Sequence, residues 1–136
     1  GAVRYGWFDA VLARYALAAT GGIDTLAITH LDILTRLKSW KYCTGYIGFG
    51  SSLLQPDPPT KPDILLTTLR PPPPHALEQR TEFTQALSDV VPLLEECNAD
   101  EKQVIEKIES LTGQKVGIVS RGPSASDVQI LDSFPV

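Results

Sequence analysis

Proline placement limits which elements this chain can form. Most of the 11 prolines in its 136 residues lie between Pro56 and Pro74. A proline ring does not fit a helix interior or a central strand, because it has no amide proton and clashes with the preceding turn. We therefore divide the chain into a helix–strand–strand block at 1–50, an irregular segment at 51–75, and a helical block with C-terminal strands at 76–136. Together they have the length of one domain with a buried core.

The charge and the cysteine content exclude several classes of protein. With 12 Lys and Arg against 16 Asp and Glu, the net charge is −4, whereas a protein that coats nucleic acid would be basic. No apolar run approaches the roughly 18 residues of a membrane span, and no segment has the pattern of a signal peptide. Cys43 and Cys97 form no C-x-x-C motif, and two lone histidines do not make a zinc site. We therefore expect a cytoplasmic protein that binds neither nucleic acid nor a membrane.

The first block predicts one helix followed by two strands. Asp9 lies in the first turn of the helix, where a negative charge suits the helix dipole, and Gly21 and Gly22 end it. The apolar face recurs at three- and four-residue steps and comprises Trp7, Phe8, Val11, Leu12, Tyr15, Ala16 and Ala19. We expect a buried strand at 25–29, a short connecting helix or turn at 33–40, and a second strand at 41–49, with Gly45, Gly48 and Gly50 as turns at strand ends.

The remaining segments alternate between helical and strand patterns. Asp100 and Gln103 resemble a capping box at the start of a strong helix over 98–111, and Gly113 is a plausible C-cap. The other predicted elements are an edge strand at 63–69, a weaker helix at 77–97 interrupted at Pro92, a buried strand at 116–119, a turn at 120–123 and a final strand at 128–131. Helices between short, mostly buried strands predict an α/β fold.

The most informative polar segment is Thr29-His30-Leu31-Asp32, at the end of the first buried strand. Open α/β sheets bind ligands at the carboxyl ends of their strands. A carboxylate there can accept two parallel hydrogen bonds from a ring N–H and an exocyclic amine, a donor pair that guanine offers and adenine does not. A helix N-cap or a solvated loop aspartate is the alternative, and these four residues by themselves favour it.

Two further candidates are weaker. In the segment Ser120-Arg121-Gly122-Pro123, the backbone amides and the serine hydroxyl could donate to a carbonyl oxygen such as guanine O6, although an ordinary turn uses the same residue types. Arg4, before the first helix, could meet a carboxylate or a phosphate, but most arginines at such places are simply exposed. The run Pro71–Pro74 fits a polyproline II ligand for an SH3- or WW-type domain, and a rigid linker is the more common explanation.

In order along the chain, several motifs resemble adenylosuccinate synthetase. The segments G-W-F-D-A-V at 6–11, R-Y-A at 14–16 and L-A-I-T-H-L-D-I-L at 26–34 are similar to that family's G-W-[FL]-D-x-V, R-Y-A and L-A-[LIV]-T-K-L-D-[VI]-L. Residues 41–46, 105–113 and 119–123 are similar to its K-V-C-V-A-Y strand, its I-x-x-I-E-x-L-T-G helix end and its I-S-x-G-P turn. The resemblance covers both ends of the chain and reverses the preference for an ordinary aspartate and an ordinary turn.

The resemblance implies the C-terminal part of a P-loop-NTPase-like synthetase fold. The family joins IMP and aspartate with GTP and Mg²⁺, makes adenylosuccinate on the route to AMP, and acts as a homodimer. Asp32 would then accept bonds from guanine N1 and N2, with His30 and Leu31 beside the base. By the same resemblance, Ser120, Arg121 and Gly122 line the guanine pocket, and Arg4 belongs to the arginine-rich loop that binds the substrates.

The departures from the family pattern define the alternatives. His30 stands where the family has lysine, residues 1–3 stand where it has arginines, and the 136 residues contain neither the G-D-E-G-K-G-K phosphate loop nor the catalytic Asp and His. We therefore predict no catalytic residue and no Mg²⁺ ligand here, and a chain that is inactive in isolation. The alternatives are a non-catalytic interaction module, with a vestigial nucleotide site and Pro71–Pro74 as the working part, and a stable degradation product with no function of its own.

Overall fold

The computed structural model describes residues 5–47, 65–70 and 77–135. The expectations for Arg4, for Gly48 and Gly50, and for the run Pro71–Pro74 fall outside these ranges. In chain order the described elements are β1 (Phe8–Asp9), α1 (Ala10–Thr20), β2 (Leu26–Ile28), a 3₁₀ helix (Leu31–Arg36), β3 (Ser39–Ile47), α2 (Leu77–Ser88), β4 (Val91–Asn98), α3 (Glu101–Thr112), β5 (Val116–Ser120), a second 3₁₀ helix (Ala125–Asp127) and β6 (Val128–Ile130).

The strands of the described ranges form two three-stranded sheets, in the orders β1-β3-β4 and β2-β5-β6. β1 is parallel to β3 and β2 is parallel to β5, whereas β5 and β6 are antiparallel. The chain divides into one compact unit of residues 1–21 with 42–95 and another of residues 22–41 with 96–136. The mixture of helices with partly parallel sheets confirms the α/β class, and the division at residues 50 and 75 stays a prediction.

In the first unit, Asp9 anchors the start of α1. One carboxylate oxygen accepts hydrogen bonds from the amides of Val11 (2.9 Å) and Leu12 (3.0 Å), and the other accepts one from the Tyr46 hydroxyl (2.6 Å). Burial and the Asp9 carboxylate raise the pKa of Tyr46. Asp9 is therefore the N-cap of the helix, one residue before its first turn, and Gly21 ends the helix at φ 79° as expected.

The core of this unit joins α1 and β3 to the segments that follow. Tyr15 stacks on Phe83 with ring centroids 5.2 Å apart. The Arg14 guanidinium donates to the carbonyl of Thr67. Leu66 forms an antiparallel bridge with Tyr46, and within residues 65–70 this bridge is the part of the predicted edge strand that the structure contains. The buried residues of this core are Val11, Cys43, Tyr46, Leu69 and Phe83.

The sequence prediction was wrong on several elements. Trp7 and Phe8 precede α1 rather than lie on its face. Gly45 lies inside β3 rather than at a turn. A Cβ at this position would approach the Leu65 side chain to 2.7 Å, which explains why the strand has a glycine here. The predicted helix at 77–97 ends at Ser88, and its second half is β4, an edge strand of its sheet that tolerates Pro92. Six predicted members of the α1 apolar face or of buried strands are exposed: Trp7, Leu12, Ala16, Ala19, Ala27 and Thr29.

The second unit is built on α3 and β5. Asp100 caps α3 by accepting a bond from the Gln103 amide (3.0 Å), and Gly113 ends the helix at φ 71°, as the sequence predicts. Val116 and Val119 of β5 are fully buried, whereas β2 is only partly buried and β6 is exposed. The predicted connecting helix begins at Leu31, two residues earlier than expected.

The Glu109 side chain joins the end of α3 to the beginning of β5. One carboxylate oxygen accepts from Lys115 Nζ (2.8 Å) and the other from the Val116 amide (2.9 Å). Desolvation opposes ionisation, but these two hydrogen bonds outweigh it and lower the pKa of Glu109 below its ordinary 4.5.

In the described part of the chain, no helix is long and apolar enough to span a membrane.

Replacing Asp9 with alanine should lower the free energy of unfolding by about 2 to 3 kcal/mol. The change removes an N-cap, which is worth about 1 kcal/mol, and leaves the buried Tyr46 hydroxyl without its acceptor. Urea unfolding followed by tryptophan fluorescence measures the difference. The exposed Asp24→Ala variant is the control, and equal midpoints for the two variants would contradict this role of Asp9.

The Glu109 carboxylate should make stability depend on pH in the acid range. Because its pKa is lower in the folded chain, its contribution is fully present above the unfolded value of 4.5 and is lost as the pH falls through the folded pKa. The wild-type chain should therefore exceed Glu109→Gln in stability at pH 7, and this difference should shrink below about pH 4.5. Glu106→Gln, which removes an exposed carboxylate 3.9 Å from Lys102, is the control for the loss of a surface charge on the same helix. A pH-independent Glu109 effect would contradict the assignment.

Candidate functional site

Two polar segments follow the carboxyl ends of neighbouring parallel strands in the second unit. Ile28 of β2 lies opposite Val119 of β5, so the segments 29–32 and 120–123 leave the sheet at the same edge. The first 3₁₀ helix, which carries residues 31 and 32, packs against β5. Ligands of open α/β sheets bind at this kind of edge. The structure thus brings together the two segments that the sequence singled out separately.

His30 turns the chain from β2 into the 3₁₀ helix. Its backbone has φ 62° and ψ 31°, in the left-handed region that few residues other than glycine adopt and in which histidine is enriched. Its carbonyl accepts from the Ile33 amide (3.2 Å). The side chain is exposed, whereas Leu31 is 5% exposed and holds the helix against the unit. The imidazole is therefore presented to solvent from a backbone position that its neighbours restrain.

Asp32 lies in the first turn of the same helix with an exposed side chain. Its backbone carbonyl accepts from the Thr35 hydroxyl (2.7 Å). Within residues 5–47, 65–70 and 77–135, no donor bonds the Asp32 carboxylate. Both of its oxygens are thus available to a ligand with two N–H donors, and an ionised carboxylate accepts such bonds more strongly than a neutral group does.

The turn after β5 is held by its own hydrogen bonds. Ser120, 9% exposed, donates its hydroxyl proton to the Gly122 carbonyl (2.9 Å), and the Arg121 amide donates to the Asp127 carbonyl (3.0 Å). The Arg121 guanidinium binds both carboxylate oxygens of Glu101, and this bonding raises the pKa of the arginine. These bonds give the turn a defined shape.

Gly122 is required by the close approach of Asp127. A Cβ at position 122 would lie 2.5 Å from the Asp127 carboxylate, whose same oxygen accepts from the Ser124 amide (2.9 Å). Asp127 cannot move aside without losing that bond. Ser124 and Asp127 form a capping box at the second 3₁₀ helix. The sequence predictions omitted Asp127, although its S-x-x-D spacing is a capping-box signal, and they also omitted Glu101.

The second unit also has a surface depression, which lies away from the candidate site. A shallow depression of about 370 Å³ lies at the opposite end of β5, beside Glu109, Gly113 and Lys115, and shares no residue with the candidate site. Among the described residues, no three His, Cys, Asp or Glu side chains are grouped closely enough to hold a metal ion.

Adding a methyl group at Gly122 should distort the turn. We expect Gly122→Ala to lower the free energy of unfolding by about 1 to 3 kcal/mol, because overpacking pushes Asp127 away from Ser124. Chemical denaturation of the variant and of Gly122→Ala/Asp127→Ala measures the coupling. Since the alanine at 127 removes the clash, the double variant should be less destabilised than the sum of the single changes. Strict additivity would contradict the close approach.

The chain matches the family model described as adenylosuccinate synthetase over residues 2–129. It is 34% identical over 128 residues to the adenylosuccinate synthetase of Syntrophus aciditrophicus, covering 94% of this chain and 28% of that protein. It is 33% identical over 131 residues to that of Desulforamulus reducens, covering 96% of this chain and 28% of that protein. The chain thus spans little more than a quarter of the length of these curated relatives.

A solved structure gives the same result for the fold. The fully ligated adenylosuccinate synthetase from Plasmodium falciparum is similar over 93% of this chain and 29% of its own, with a TM-score of 0.62. At 14% sequence identity, this likeness shows the fold alone. It confirms that the described elements are arranged as part of a synthetase fold. With the family match over 128 of its 136 residues, this chain belongs to the adenylosuccinate synthetase family.

Proposed function

We propose that this chain is the guanine-recognising, C-terminal part of an adenylosuccinate synthetase-like ligase. The observation that carries the proposal is the pairing of β2 with β5, which puts the segments 29–32 and 120–123 at one edge of one sheet. Both segments also carry motifs that resemble those of the family. The ligand we propose is GTP, recognised through its base.

Asp32 provides the specificity in this proposal. Guanine offers an N1–H and an exocyclic amine on one edge, and a carboxylate accepts both, so the exposed Asp32 carboxylate suits that pair of donors. Adenine has no N–H at N1 and would leave one carboxylate oxygen facing an acceptor. A site built for a donor pair rejects an analogue that lacks it strongly. Asp32 therefore selects guanine over adenine.

His30 and the turn after β5 complete the recognition of the base. The exposed imidazole next to Asp32 provides a flat face against which the base stacks, and the family's lysine at this position would provide an alkyl chain instead. Ser120, Arg121 and Gly122 form the wall of the proposed pocket on the side of β5. The Ser120 hydroxyl and the Arg121 amide are already bonded to the Gly122 and Asp127 carbonyls, so these two groups shape the wall rather than donate to guanine O6. Leu31 contributes by holding this segment in place, since its side chain is buried.

In the reaction of the whole protein, this chain would bind rather than make bonds. The proposed reaction transfers the γ-phosphoryl group of GTP to the 6-oxygen of IMP, and aspartate then displaces the phosphate. The chain's residues orient the nucleotide through its base, which reduces the freedom of the transferred group. Arg4 would contact the substrates. We place the phosphate loop, the Mg²⁺ ligands and the catalytic Asp and His elsewhere in the protein, so this chain alone would be inactive.

The proposal extends to the setting of the protein. It includes purine biosynthesis in the cytoplasm, IMP and aspartate as substrates of the complete protein, and a homodimer as its assembly. We propose no nucleic-acid partner and no membrane partner, in keeping with the net charge of −4. These statements rest on membership in the family.

Replacing Asp32 with asparagine should abolish the preference for guanine. We expect GDP, and not ADP, to raise the melting temperature of the wild-type chain. In Asp32→Asn the GDP affinity should fall about 30-fold, which corresponds to about 2 kcal/mol for charged hydrogen bonds, and ADP binding should be unchanged. Thermal shift titrations with both nucleotides measure this, with the exposed Asp24→Asn as the matched control. Equal losses for both nucleotides, no loss, or no effect of GDP on the wild-type chain would contradict the proposal.

A further inference from the structure

The Arg121 side chain connects the turn after β5 to two other elements. Its Nε donates to Glu101 Oε2 (2.8 Å), its Nη2 pairs with Glu101 Oε1, and its Nη1 donates to Gln129 Oε1 (2.9 Å). All three guanidinium nitrogens are therefore engaged within the protein. These three bonds hold the guanidinium against Glu101 and Gln129.

The partners of Arg121 occupy well-defined positions. Glu101 is the first residue of α3, directly after the N-cap Asp100, where the helix dipole stabilises a carboxylate. Gln129 is the central residue of β6 and lies opposite Val119, the residue of β5 just before the turn. A two-point contact between a guanidinium and a carboxylate fixes direction as well as distance. The turn is thereby tied to the start of α3 and to β6.

Two further hydrogen bonds hold the backbone of the same turn. The Arg121 amide donates to the Asp127 carbonyl (3.0 Å), and the Ser120 hydroxyl donates to the Gly122 carbonyl (2.9 Å). The side chains of Arg121 and Glu101 are 39% and 35% exposed. A half-exposed ion pair contributes modestly to overall stability. Its larger effect is local, because it limits the conformations open to a turn of three residues.

We propose that Arg121 is a positioning residue, and that the set Glu101, Arg121 and Gln129, here named the clamp, holds residues 120–122 in the shape that accepts the guanine base. This rests on the proposed function. The guanidinium does not touch the base, and Arg121 contributes to the pocket through its backbone. Guanine affinity then depends on Glu101, a residue 20 positions earlier that lies outside the pocket motifs.

The test compares two carboxylate-to-amide changes on α3 in the 136-residue chain. Glu101→Gln removes the charge that binds Arg121, whereas Glu106→Gln removes an exposed charge 3.9 Å from Lys102 on the same helix. We expect Glu101→Gln to weaken GDP binding about fivefold, as for the loss of a half-exposed ion pair, and Glu106→Gln to leave it unchanged. Amide hydrogen exchange at Arg121 should accelerate only in Glu101→Gln. A role confined to stability would lower the unfolding midpoint and leave the GDP affinity of the folded chain unchanged.

Charge reversal provides the second arm of the test. Arg121→Glu should weaken GDP binding and accelerate exchange at position 121, and Glu101→Arg added to it should recover part of both. Equal behaviour of Glu101→Gln and Glu106→Gln in affinity and exchange overturns the clamp, and so does a reversal pair with no recovery. If GDP does not bind the wild-type chain, the proposed function fails. The exchange rates of the same variants then still decide whether the clamp holds the turn.

Discussion

Parallel pairing between β2 and β5 is the interaction on which the candidate site depends. The two strands are about 90 residues apart in the chain, and their pairing puts Ile28 beside Val119. Burial of Val116 and Val119 provides the apolar contact that holds β5 in the unit. Because the strands run in the same direction, both of the segments that follow them emerge at one edge. Without this pairing, Asp32 and Ser120 would be unrelated polar residues.

Local hydrogen bonds then give the site its shape. Around β5, side chains next to turns accept hydrogen bonds from backbone amides. Asp100 caps α3, Glu109 accepts from the Val116 amide, and Asp127 accepts from the Ser124 amide. Each is a carboxylate close in sequence to the amide it binds. Such bonds form as soon as the local backbone does, and they leave few conformations for the connecting turns. The Glu101–Arg121 pair adds a contact between elements to this set.

Elements with strong local signals were predicted well, including α3 and the buried strand β5, whereas β4, which lacks such a signal and has a distant partner, was not. The helix α3 was predicted closely because Asp100, the periodic Val104 and Ile108, and Gly113 are all local signals. The second half of the predicted helix at 77–97 was wrong, because β4 forms by pairing with β3, a partner about 50 residues earlier. Gly45 was misplaced for a similar reason, since only the approach of Leu65 explains a glycine inside a strand.

Local signals in the chain were enough to specify the fold class, the caps Gly21, Asp100 and Gly113, and the two polar segments for which we propose guanine recognition, because caps, periodicity and motifs lie within a few neighbouring positions. The tertiary structure decided which of those residues meet. It brought the segments 29–32 and 120–123 to one edge, gave His30 its left-handed backbone, and engaged the Arg121 guanidinium with Glu101 and Gln129. These outcomes depend on strand pairing and on contacts across many residues. Such contacts leave no periodic trace in the chain, so only the folded arrangement specifies them.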